Sequence, residues 1–162
     1  MRVLRDGTLL CSEWFTDGIH VCLAQSDRSL QHCARVALPT KHRGFDAQLV
    51  GNERRLAVAL CDGSVVLCRV NLAPVALEKL SFVKLVGARL ALFCGDSLLV
   101  GVARDYKVQE AVSFSTTGGR LQRERQLIPH DDLLDLRSWC YVEGTLFAWD
   151  YTSKQLLQFC AA

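Results

Sequence analysis

The chain has 162 residues, 50% hydrophobic and 22% charged, with a formal net charge of +2. That is enough chain for one domain with a real core, and too apolar for a disordered segment. So small a charge gives no case for broad electrostatic attachment to nucleic acid or to an anionic membrane.

Taken in order, the apolar residues alternate with period two, which points to strands and to an all-β chain forming a single domain over 1–162. The first unit, 1–39, carries a short strand near 2–4 and further strands at 8–15, 19–25 and 29–38. Pro39 to Gly44 is a break. The second unit, 45–80, has strands at 45–50, 55–60, 64–70 and 74–80. Within it, Asp62-Gly63 is a hairpin turn, because Gly accepts positive φ and Asp bonds its own backbone. Val65 and Leu67 then share one strand face while Val66, Cys68 and Val70 share the other, so this strand is covered on both sides. Arg69 is expected near an edge.

The third unit, 82–128, has strands at 82–86, 89–94 and 97–103, followed by an outer hairpin with arms at 108–115 and 120–128. The fourth, 132–160, has strands at 133–136, 138–142, 145–150 and 155–159. Helix competes at 72–82 and 120–128, where Leu, Glu, Lys, Gln and Arg are good helix formers. Strand is favoured in both, since each occupies a half-exposed outer position.

Gly18, Gly63, Gly95 and Gly144 sit in the recurring turns and lie 45, 32 and 49 residues apart. Such spacing is about that of one four-stranded propeller blade. Sheets with two apolar faces must stack to bury both. The fold expected is therefore a propeller-like stack of antiparallel four-stranded sheets, with an incomplete ring as one form of it. A β-trefoil or another compact β-barrel is the alternative.

The turn and strand at Asp62-Gly63-Ser64-Val65, the turn at Glu143-Gly144-Thr145-Leu146 and the ending Phe147-Ala148-Trp149-Asp150 resemble a WD40-like β-propeller. Trp149-Asp150 matches the Trp-Asp pair of that family, while the family's Gly-His pair near each blade start is missing. The resemblance implies an assembly platform, in a family whose rings usually have seven blades. Four units are too few for such a ring, so the chain is either a fragment or subunit whose ring a partner completes, or a small four-bladed ring closed on itself. A protein partner, or self-association, is expected to cover the exposed end sheets.

Chemistry is sparse. Cys11, Cys22 and Cys33 are spaced by eleven with His20 and His32 close by, but zinc motifs present ligand pairs two to four residues apart. No metal or other cofactor is expected. Cys33 with His32 or His42 and Asp46 can be drawn as a nucleophilic set, but no G-x-S-x-G elbow or phosphate-cradling loop accompanies it. The chain is read as a non-enzyme. Its eight cysteines fall mostly at apolar strand positions, and Met1 to Gly7 has no signal-peptide pattern, so a reducing cytoplasm or nucleus is expected. The longest apolar stretch, Leu90 to Ala103, is broken by Gly95-Asp96 and too short to span a bilayer.

Candidate partner-binding residues are the aromatics Trp14, Phe15, Trp139 and Trp149, and the basic group Arg120, Arg123 and Arg125. That basic group, with Lys41 and Arg43, carries the alternative of a nucleic-acid-associated module. Glu124 inside it and the lack of an aromatic platform disfavour that reading. A thiol- or metal-dependent enzyme is a further alternative. The function expected is a non-catalytic interaction or scaffold subunit of a larger assembly.

Overall fold

At the turn between residues 60 and 64, the Asp62 carboxylate accepts the Ser64 N–H at 2.9 Å and the Ser64 hydroxyl at 3.1 Å. Gly63 there takes φ 79°, the left-handed region that glycine enters without steric cost. Strands β6 (Glu53–Leu60) and β7 (Ser64–Leu72) run antiparallel from this turn with Val58 opposite Val66. The other described strands also pair antiparallel with their neighbours in sequence within each sheet. The computed structural model describes residues 1–13, 15–104, 107–126, 136–143 and 145–160.

Four antiparallel sheets result. The first joins β1 (Arg2–Val3), β2 (Thr8–Cys11), β3 (Gly18–Ala24) and β4 (Leu30–Ala37) in chain order. The second runs β5 (His42–Val50), β6, β7 and β8 (Val75–Lys84). The third contains β9 (Ala88–Cys94), β10 (Ser97–Arg104), β11 (Lys107–Ser115) and β12 (Gln122–Gln126). Among the described residues the fourth has three strands: β13 (Leu136–Val142), β14 (Thr145–Asp150) and β15 (Gln155–Cys160). A single 3₁₀ turn at Thr117–Gly119 precedes β12.

The sheets are arranged ring-like round an axis. Their first strands meet in sequence, β1 with β5, β5 with β9 and β9 with β13, while β4 and β8 meet at the rim. The approach of β5 to β9 is close: a Cβ at Gly44 would lie 2.6 Å from the Arg89 carbonyl oxygen. Glycine is what lets these inner strands come together.

Alternation distributes the core. Leu56, Val58, Val66, Cys68 and Val70 face the first sheet, where Leu10, Ile19, Val21 and Val36 meet them. Ala57, Ala59, Val65 and Leu67 face the third sheet, against Phe93, Leu98, Val100 and Phe114. Trp139, Leu146 and Ala148 of the fourth sheet pack on Leu92, Leu99 and Ala111 of the third. Every interior sheet is thus apolar on both faces, as the two-faced pattern of β7 implies.

Among the described residues, both helix-competing segments contribute strands and no helix. The 72–82 segment contributes most of β8, and 120–128 contributes β12. Three boundaries differ from expectation. β5 begins at His42, inside the expected break from Pro39 to Gly44. The strand expected at 82–86 to open the third sheet is largely the end of β8, where Val65 pairs with Val83 and Ser64 with Lys84. The third sheet opens instead at Ala88, after Gly87 at φ 87°. The strand expected over 8–15 stops at Cys11, and Phe15 adopts φ 66°, incompatible with a strand. The expected strand at 133–136 falls mostly on residues outside those described.

Candidate functional site

The feature of the fourth sheet that stands out is its face turned away from the third. Cross-strand partners share a face, and here Cys140 pairs with Phe147, Phe147 with Gln158, Val142 with Thr145, and Trp149 with Leu156. None of these residues carries a charge. Val142 is 53%, Trp149 39% and Leu156 63% exposed, Cys140 is also exposed, and Phe147 is half-buried. Large apolar side chains in one contiguous group are the usual mark of a contact surface.

The opposite end of the arrangement is the outward face of the first sheet. Leu9, Cys22 and His32 form one cross-strand row, and Cys11, His20 and Arg35 the next. His20 Nδ1 lies 3.0 Å from His32 Nε2, with the ring centroids 5.2 Å apart. Burial pushes the Cys22 thiol above its ordinary pKa, and neighbouring Cys11 and Cys33 reinforce the shift. Arg35 is ion-paired to Asp17. Among the described residues no group of three or more His, Cys, Asp or Glu side chains is gathered as a metal-ligand set.

A third polar site lies near the axis. Asp46 on β5 is 6% exposed. Its carboxylate pairs with Arg2 of β1 and accepts the Phe93 N–H of β9 at 2.8 Å and the Ala47 N–H at 2.9 Å. Burial raises its pKa, against the opposing pull of the Phe93 N–H and of Arg2. His42, at the start of the same strand, is 2% exposed and shares a 2.8 Å hydrogen bond with Ser12 Oγ through Nε2. Desolvation lowers its pKa; the Glu13 carbonyl acts in the opposite sense, yet Nδ1 has no partner in hydrogen-bonding geometry. These groups fasten the inner strands of three sheets to one another.

The residues singled out in the sequence separate on this framework. Trp139 is 9% exposed and belongs to the core between the third and fourth sheets, whereas Trp149 is presented outward. Phe15 is 40% exposed and carries Lys41 Nζ at 5.3 Å and Arg43 at 6.0 Å from its ring centroid. Trp14 lies outside the described residues. Arg120, Arg123 and Arg125 are exposed on or beside β12, the rim strand of the third sheet, while Lys41 and Arg43 lie at the inner strand of the second. The structure therefore does not gather the five into one patch. Arg123 faces Glu110 at 3.8 Å, and Glu124 accepts the Ser113 hydroxyl at 2.7 Å.

Leu156, Val142 and Cys140 were missed in the sequence reading. The alternation that sends Trp139 inward sends Cys140 outward, and was the signal that could have found them.

A cleft of about 260 Å³ between the first and second sheets is lined by Leu38, Leu60, Val66, Cys68, Leu77 and Phe82 among others. Its thiol is a poor nucleophile, since burial pushes Cys68 up to about 11. Among the described residues no helix is long and apolar enough to cross a membrane.

No protein-family model matches the chain, and no curated protein does. Solved structures do. A protein from Lactobacillus plantarum matches with TM-score 0.62 and 18% identity, over 99% of this chain and 54% of its own. A functionally unknown protein from Desulfotomaculum acetoxidans matches with TM-score 0.68 and 16% identity, over 96% of this chain and 51% of its own. Hydrazine synthase from Kuenenia stuttgartiensis matches with TM-score 0.54 and 14% identity, over 82% and 40%. At such identities the likeness shows the fold alone. The chain spans about half the length, or less, of each of these structures.

Proposed function

We propose that the chain is a non-catalytic interaction subunit whose end sheets seat against a protein neighbour in a larger assembly of the cytoplasm or nucleus. The observation that carries this reading is the uncharged, exposed face formed by Cys140, Val142, Phe147, Trp149 and Leu156. Among the described residues each interior sheet buries both of its faces against another sheet, and this one buries a single face. A stacked β-sheet completed by a neighbour is the arrangement that removes such a face from water. WD40 kinship, resting on the Asp62-Gly63 turn and on Trp149-Asp150, fits an assembly platform. The test is the size of the particle holding the chain in its native extract. The wild-type chain is expected in a particle heavier than 18.0 kDa, and a folded Trp149→Arg/Leu156→Asp variant in a lighter one. Identical elution of the two refutes the reading.

A further inference from the structure

We infer that the neighbour on the fourth sheet is a second copy of the chain, presenting the outward face of its first sheet. The inference rests on the interaction reading above and specifies its partner. Contacts between sheets run from first to second, second to third and third to fourth. No contact of comparable extent joins the fourth to the first among the described residues. Two end faces are therefore left, on opposite flanks of the same arrangement.

Their chemistry is compatible. The fourth-sheet face carries no charge. The first-sheet face presents Val3 at 63% and Leu30 at 59% exposure, with Cys11, His20 and His32 between them and the buried Leu9 and Cys22 beneath. Its one arginine is already neutralised by Asp17. No carboxylate would be stranded when the two faces meet, and imidazole against Trp149 is a favourable aromatic pairing.

The dimensions also fit. The first sheet's strands are 2, 4, 7 and 8 residues long and the described strands of the fourth are 7, 6 and 6. At about 3.3 Å per residue and about 4.8 Å between strands, each face covers roughly 300 Å². Two such faces per copy give about 600 Å² per partner, or about 1,200 Å² in total, the lower end of the range of stable interfaces. Two copies also carry about as many residues as one of the matching solved chains, of which this chain covers 54% and 51%. Joining the fourth sheet of each copy to the first sheet of the other closes the ring with twofold symmetry and leaves no end face.

The test is sedimentation equilibrium of the purified 162-residue chain up to about 100 μM, with circular dichroism to confirm folding. A particle of twice 18.0 kDa is expected. Trp149→Lys/Leu156→Asp should weaken association at least 100-fold, and so should Leu30→Asp/His32→Glu on the other face. Mixing the two variants should restore a dimer, because one of its two interfaces is then intact. If one variant fails to fold, the other carries the test. A single copy at every concentration overturns the inference; if that monomer still enters a heavier particle in extract, the interaction reading survives with a different occupant, whether another protein or further chain. A dimer indifferent to Leu30→Asp/His32→Glu also overturns it, since the fourth sheets would then be pairing with each other.

Discussion

Replacing Asp46 by alanine tests whether the axial carboxylate ties the sheets together. The substitution strands the Phe93 N–H, which is bonded at 2.8 Å in a buried setting. An unsatisfied buried donor costs about 1–3 kcal/mol. Loss of the Arg2 pair adds less, because the Arg2 side chain is 41% exposed and water can take over; exposed pairs are worth about 0–1 kcal/mol. The sum is about 1–4 kcal/mol, read as a lower urea midpoint at unchanged slope at pH 7. Asp46→Asn keeps an acceptor for Phe93 and should lose about half as much. It should also alter the pH dependence. Burial raises the Asp46 pKa, so above the unfolded value of about 3.9 the native state holds a proton longer than the unfolded chain does. That contribution to stability is complete below the unfolded pKa and is lost as pH rises through the native one. The wild-type chain should therefore decline relative to Asp46→Asn across that window and run parallel to it above. An alanine variant within about 0.5 kcal/mol of wild type would refute the reasoning.

Gly44→Ala should destabilise by about 1–3 kcal/mol, since its Cβ meets the Arg89 carbonyl oxygen at 2.6 Å and two inner strands must separate; thermal melting reads it. His42 behaves oppositely to Asp46: burial lowers its pKa, so the unfolded chain takes up a proton near pH 6.5 that the native state refuses. Wild type should lose stability relative to His42→Gln as pH falls below that point, by up to about 1.4 kcal/mol per pH unit, and urea midpoints at pH 7 and 5 check it. Thiol titration of the folded chain should leave Cys68 and Cys94 unreacted, their pKa values pushed by burial to about 11 and about 12; both should label on unfolding.

Local chemistry made much of the fold legible. Asp62-Gly63 announced the β6–β7 hairpin because its turn needs both a positive φ and a side-chain acceptor. The two-faced pattern of β7 announced sheets on either side. Errors arose where backbone geometry overruled pattern. Residues 82–86 alternate like a new strand, yet Phe82 to Lys84 continue β8, and the break waits for Gly87. The strand expected at 8–15 ends at Cys11, and Phe15 at φ 66° lies outside strand geometry. At the candidate surface, period two showed that Trp139 and Cys140 point opposite ways. It did not show which way was out, because both faces of β13 are apolar and only the placement of the third sheet decides. Arg123 and Arg125 likewise gave no hint that their strand lies at the rim, apart from Lys41 and Arg43 near the axis.

The alkylation rate of Cys140 measures burial of the fourth-sheet face most directly, since this thiol is exposed in the chain and lies opposite Phe147. The account predicts rapid labelling of the dilute purified chain and at least tenfold slower labelling in the assembled particle. Equal rates in the two states would contradict it.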